Sequence, residues 1–419
     1  MNNSKIMDTI PEKERWFLIA TGFLINLCLG AIYSFSIFRK PLESFWGISA
    51  TQSGLPFMVF LAVFAVMMAA AGGLIGKWGP RKTCLLGSLL VGFGWIGASF
   101  SPNIDFLTIL YGVIGGAGVG ISYGCPIAVA AAWFPRKSGL AIGLTVMGFG
   151  LSGLIIAPIM GGLIESFGPL QTFLYSGIGF LVALIILSLP LSFPPSAGSP
   201  KVGDTASTAG LETRTEMGRS QIIRTRSFYI LWITFAIGCL AGLMAIGIAS
   251  PFGMEVAKLN ATTATFSISL FSVFNGVGRP VFGMVSDKIG PKKSVLASFF
   301  LVFAASAALY FFGEGNVLLY LIAFGTLWMN LGGWLAMAPA ITKIFFGTKY
   351  YSQNYGLVFT AYGAGAIIGT FMSGMLKDMT GSYLAVLPLV MALSTLGIGV
   401  AFLGLEADVK RKTSIAQRV

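Results

Sequence analysis

The stretch FSVFNGVGRPVFGMVSDKIGPKK, Phe271 to Lys293, decides how this chain is read. It begins as an apolar helix and ends as a charged loop. Between the two stands Arg279, eight residues before the first loop charge, Asp287. That is roughly 12 Å of helix. The loop has a twin: GGLIGKWGPRK (Gly72–Lys82) aligns with GMVSDKIGPKK (Gly283–Lys293) at an offset of 211 residues. Phe134 and Phe345 stand at the same offset. Each is followed by a short basic loop and then by a glycine pair, Gly148 and Gly150 in one copy, Gly363 and Gly365 in the other.

Composition says where such a repeat lives. The 419 residues are 55% hydrophobic and 10% charged, with a mean hydropathy of +0.84. A soluble domain is nearer a quarter charged. About 20 apolar residues cross a bilayer. Twelve such runs are present, at about 16–38, 51–75, 83–101, 106–134, 139–164, 170–193, 228–252, 264–286, 294–313, 317–342, 354–376 and 383–404. The segment Pro194 to Ser227 is polar and rich in Pro, Gly, Ser and Thr, and reads as a linker. It separates bundles at 1–193 and 228–419. The expected fold is an all-α membrane protein of twelve transmembrane helices in two parallel six-helix repeats. No cleavable signal peptide is expected, because the first run is too long and comes after a polar tail.

The net charge of +12 has a topological explanation. With both termini cytoplasmic, 22 of the 27 Lys and Arg fall in inside segments and four (Arg39, Lys40, Lys258, Lys377) in outside ones. The positive-inside rule then sets the orientation, and nucleic acid is not expected as a partner. The remaining basic residue is Arg279. Cys28, Cys84, Cys125 and Cys239 are scattered within spans and suggest small core residues, not a disulfide or metal framework. No metal and no cofactor is expected.

An arginine at a helix centre costs about 2.5–3.5 kcal/mol on insertion scales. None of the fifteen Asp and Glu lies deep in a run, so no internal carboxylate offsets it. A guanidinium can instead hold a carboxylate from outside through two parallel hydrogen bonds. Asn275, four residues earlier, shares the helix face. It serves either as a second ligand or as a helix–helix hydrogen bond. Tyr33 and Tyr123, inside the first and fourth runs, offer hydroxyl donors or simple packing. An integral membrane enzyme would need acid–base or metal residues at depth, and none cluster there. A receptor would need a signalling domain for which the tails and linker leave no room.

The paired loops resemble the Gly-x-x-x-Asp-x-x-Gly-x-basic-basic motif of the major facilitator superfamily. The second copy is complete with Asp287, whereas Gly76 replaces the acid in the first. The resemblance implies a conformational latch at Gly72, Gly283 and Asp287, weaker in the first half. WFPRKSGLAIGLTVMGFGLSG (Trp133–Gly153) and NGVGRPVFGMVSDKIG are similar to the fifth and eighth helices of monocarboxylate transporters and oxalate:formate antiporters. That resemblance places Arg279 as the substrate-binding arginine and implies substrate contacts at Tyr33 and Tyr123. The antiporter's tenth-helix aromatic pair becomes Leu331 and Leu335, and its eleventh-helix lysine becomes Tyr362. Leu144, three residues before the repeat partner of Tyr362, is assigned to the opposite wall. The acidic motif before the first helix and the first-helix lysine of monocarboxylate transporters are absent. Residues and resemblance together imply a carrier of one small monocarboxylate anion, L-lactate first and pyruvate second, by alternating access. Proton coupling is implied by the family; anion exchange is the alternative. The expected setting is the lipid bilayer of a bacterial inner membrane, with the protein monomeric.

Overall fold

The computed structural model describes residues 12–134, 138–194, 216–347 and 350–405. Most of the expected linker, at 195–215, lies outside the described residues. The helices are α1 (Glu12–Leu29), α2 (Ser36–Trp46), α3 (Ala50–Ala98), α4 (Ile104–Trp133), α5 (Ser138–Ser188), α6 (Arg226–Glu255), α7 (Ala261–Ile289), α8 (Pro291–Phe312), α9 (Val317–Phe346), α10 (Tyr351–Thr380) and α11 (Val386–Gly404). Ten helical segments among the described residues are long and apolar enough to cross a membrane. Two of them, α3 with 49 residues and α5 with 51, are too long for one crossing at 1.5 Å per residue. Each folds at a glycine: Gly79 (φ 76°, ψ 170°) in α3 and Gly168 (φ 81°, ψ 172°) in α5. A side chain strains that backbone, which is why glycine stands there. Counted as limbs, the described residues make twelve passes.

The repeat is visible in the backbone. Gly290, the aligned partner of Gly79, has φ 84° and ψ 159°, and both are followed by a proline that opens the next helix. Helix starts are set by local chemistry. Ser49 and Gln52 form a reciprocal capping box on α3. Asn260 and Asn316 cap α7 and α9 by accepting from Thr263 and Leu319. Before α6, Met217 donates its N–H to the Phe346 carbonyl and accepts from Asn354 Nδ2, tying the chain to the ends of α9 and α10.

Two seams join the first-half helices (α1–α5) to the second-half helices (α6–α11). In the α5–α7 seam, Gly161 meets Thr265, Gly153 meets Ser272, and Gly150 meets Asn275 and Gly276. In the α3–α10 seam, Gly374 meets Ala50 and Thr51, Gly54 meets Thr370, Gly363 meets Ala62 and Ala65, and Gly356 meets Ala69. As one number rises the other falls, as antiparallel helices require. Small residues let these backbones approach, and in lipid such packing drives helix association.

Candidate functional site

The seams are complete at one end and stop short of the other. Continuing along α5 and α7 toward the basic loops brings Gly143 and Gly283, and along α3 brings Gly73 and Gly76. At each, an added Cβ would meet nothing within 4 Å. Among the described residues, the seam contacts therefore reach the Gly161 and Gly374 end and are missing at the Gly76 and Gly283 end. Gly72 is half-buried and Asp287 exposed in this open region. Among the described residues, Asp287 makes no ion pair with a basic residue of either loop.

Polar bridges fasten the closed end. Arg39 is fully buried and donates Nε to Ser53 Oγ (3.0 Å), Nη1 to the Gly247 carbonyl (3.1 Å) and Nη2 to the Ala50 carbonyl (2.5 Å). The Gly247 bond crosses between halves. Glu255 takes Lys40 on Oε1 and Lys377 on Oε2, each at 2.5 Å. Asp378 accepts the backbone N–H groups of Ala50 and Thr51 (2.9 Å each), an anion on a helix N-terminus. Burial works to lower the Lys40 pKa, and the Glu255 and Glu43 carboxylates more than offset it, holding the ammonium above the usual lysine range. Sequence alone puts Arg39 among the outside loop charges. The structure adds that its side chain is buried there, on α2.

Arg279 sits where the α5–α7 seam ends. It is 7% exposed, and Nη1 donates to the Val146 carbonyl of α5 at 2.6 Å. Nε and Nη2 are buried and have no well-formed hydrogen bond among the described residues. No carboxylate forms an ion pair with it among the described residues. Around it the structure gathers aromatic rings from both halves. The Tyr33 and Tyr362 hydroxyls share a hydrogen bond of 3.0 Å across the midline. The Tyr123 hydroxyl lies beside the guanidinium, within reach of it. Phe149 packs edge-on against Tyr33 (5.0 Å) and Tyr123 (5.3 Å). Phe64 touches Tyr123, Phe149, Phe359 and Tyr362, at 5.4–5.9 Å between centroids. Two cationic donors inside a ring of phenols and phenyls have the chemistry to hold an anion with two acceptor oxygens. Burying an anion there without such donors would be prohibitive.

The other sequence candidates are placed differently. Asn275 donates Nδ2 to the Trp328 carbonyl of α9 (3.0 Å), and its partnerless Oδ1 packs where Gly150 passes. In this conformation it joins helices. Leu331 is buried against Gly242 of α6, and Leu335 is half-buried on the same helix. Leu144 packs on a small cluster of Ile19, Ala130 and Ala141 in the first half, apart from the aromatic ring. Sequence reasoning misses Phe64 and Phe149. It also misses Tyr351 and Tyr355 on α10, which lie toward the open end and near Tyr123. Their four-residue spacing is the available signal.

Comparison with known proteins agrees with this fold. The family model of the Major Facilitator Superfamily matches residues 18–370. The oxalate:formate antiporter of Oxalobacter formigenes is 30% identical over 364 residues, covering 85% of this chain and 83% of that protein. Monocarboxylate transporter 12-B of Danio rerio is 25% identical over 399 residues, covering 88% of this chain and 82% of that protein. Among solved structures, a bacterial homologue of the human lysosomal transporter Spinster, in an inward-facing and occupied conformation, superposes with a TM-score of 0.72 at 14% identity. That match covers 96% of this chain and 99% of the other, and it speaks to the fold. Twelve apolar passes, a repeated basic loop and a family match over most of the chain lead to one conclusion: this chain is a multi-pass membrane transporter, not an enzyme, and belongs to the Major Facilitator Superfamily.

Proposed function

We propose that the protein carries small monocarboxylates, L-lactate first and pyruvate second, by rocking its halves about Arg279. The observation that carries this reading is the pair of buried N–H groups on Arg279 that lack a well-formed hydrogen bond, at the point where the seam contacts end. A carboxylate bound through Nε and Nη2 would take the side-on, two-bond geometry that guanidinium favours, leaving Nη1 on Val146. One fixed cation suits one substrate charge. Tyr362 stands where the resemblance expects a lysine, so a dianion would keep one carboxylate uncompensated. The surrounding rings suit a methyl group. The open end carries the basic loops assigned to the cytoplasm, so in this reading the structure faces inward. Bundles at 1–193 and 228–419 are the moving bodies, and the monomer is the working unit.

Coupling has two readings. Proton symport is one. Exchange is favoured by a specific observation: the chain has no histidine, and its carboxylates sit at helix ends. Arginine does not deprotonate in proteins. A proton in symport would travel on the substrate or through a helix-end acid. Uptake of labelled L-lactate into proteoliposomes tests both. Accumulation in empty vesicles driven by an inward pH gradient supports symport. Uptake that needs a preloaded carboxylate and ignores the gradient supports exchange. No uptake of any small monocarboxylate under either condition refutes the assignment.

A further inference from the structure

Helix α10 carries a run of rings that extends beyond the site already described. Tyr351, Tyr355, Phe359 and Tyr362 recur at spacings of four, four and three residues, which is one helix face. Consecutive centroids are 5.9, 5.7 and 4.9 Å apart. Phe359 and Tyr362 are buried at 2% and 0% exposure, whereas Tyr351 and Tyr355 are half-buried. The stripe thus runs from the Tyr33–Tyr362 pair in the sealed core toward the open mouth. The other end of α10 is the fastened one, at Lys377 and Asp378. Tyr355 lies within electrostatic range of both Arg279 and Tyr123, and Tyr351 within range of Tyr123.

We infer that Tyr355 and Tyr351 form a relay station for the carboxylate between Arg279 and the open mouth. The inference rests on the reading of Arg279 as a carboxylate site. A carboxylate leaving a two-bond arginine must shed strong hydrogen bonds before bulk water can replace them. Neutral phenols along the α10 stripe offer single donors, weaker than the arginine but stronger than an apolar wall. Such a graded exit lets binding be firm without making release slow. Because a tyrosine is uncharged, the station adds no second charge to the cavity when the anion departs. The stacked pair holds its rings in place, so each hydroxyl is pre-positioned at little entropic cost. Tyr355 and Tyr351 are positioning residues on the path; the primary site remains at Arg279.

The test compares wild type with Tyr355→Phe and with the double variant Tyr351→Phe/Tyr355→Phe. Phenylalanine keeps the stacking and removes only the hydroxyl, so a merely structural role leaves both readouts unmoved. Binding of labelled L-lactate to purified protein gives Kd, and efflux from preloaded proteoliposomes gives the turnover rate. The expected result is an efflux rate lower by about tenfold in Tyr355→Phe, as for one charge-assisted hydrogen bond. The double variant should be slower still, and Kd should stay within about twofold, less than a lost bond at the primary site would give. Unchanged efflux overturns the relay and leaves the Arg279 reading intact. A Kd weakened in step with efflux also overturns it, since the hydroxyl would then belong to the primary site. Wild type that binds neither lactate nor pyruvate overturns the Arg279 reading, and the relay with it.

Discussion

Replacing Glu255 by glutamine should open the fastened mouth. Glu255 holds Lys40 and Lys377 at 2.5 Å each, and only the Lys40 contact crosses between halves. The three side chains are 25%, 30% and 17% exposed, so water screens the network only in part. A fully exposed pair is worth about 0.2–1 kcal/mol. A pair at an effective dielectric near 20 is worth several times more before desolvation is subtracted. Glutamine keeps the shape but loses the charge, and it leaves two ammonium groups facing each other. Glu43, 3.1 Å from Lys40, still restrains that lysine and limits the effect. The net cost to the closed mouth is about 1–2 kcal/mol, a shift of roughly 5- to 30-fold in the population ratio. The assay is pulsed electron paramagnetic resonance between spin labels at Phe45→Cys and Phe312→Cys, both exposed sites near this mouth. Cys28→Ser removes the one native cysteine that is not fully buried. A longer-distance population should grow in the glutamine variant. Superimposable distance distributions would refute the idea that these charges hold the mouth shut.

The same geometry sets three other outcomes. Arg279→Ala should weaken L-lactate binding by more than about 100-fold, the loss of two charge-assisted bonds, while the protein still inserts. Arg279→Lys should also lose most binding, because an ammonium cannot replace a planar fork; equilibrium binding checks both. Tyr362→Lys should raise competition of labelled lactate uptake by oxalate by about tenfold, by supplying the second cation a dianion needs. Equal competition in both proteins would remove Tyr362 from the site. Gly278→Ala should lower the Tm of purified protein, since its Cβ would come within 2.2 Å of the Met329 carbonyl oxygen. Overpacking of that kind costs about 1–3 kcal/mol.

Much of this architecture is legible in the sequence because lipid imposes simple rules on it. Apolar runs give the passes, and the glycine–proline loops give the repeat, because those backbones need positive φ in both copies. Arg279 announces itself as a charge that no carboxylate in the sequence can offset. Arg39 does not. It comes after a 3₁₀ turn at Gly30–Ser34, and only the folded backbone shows its side chain buried on α2. Phe64 and Phe149 are invisible for a different reason. Phenylalanine is abundant, with 35 in the chain, so which rings face the site is decided by packing between halves. For Leu144 an aligned position fixes the helix, and packing against Ile19, Ala130 and Ala141 is what the folded backbone adds. For Asn275 the sequence allows both a ligand and a helix joint, and its bond to Trp328 answers only for the conformation seen here.

The glycines that touch nothing bear on how variation in this chain should be read. Gly73, Gly76, Gly143 and Gly283 lie on the lines of the two seams but beyond the last contacts. A screen for folding or yield should tolerate alanine at all four, since each added methyl enters open space. A screen for transport should not, if these are the contacts that form when the other mouth closes. The two screens would disagree at these positions and agree at Gly278, whose neighbour is already present. Tolerance in a single conformation is therefore a poor guide to which substitutions a carrier can survive.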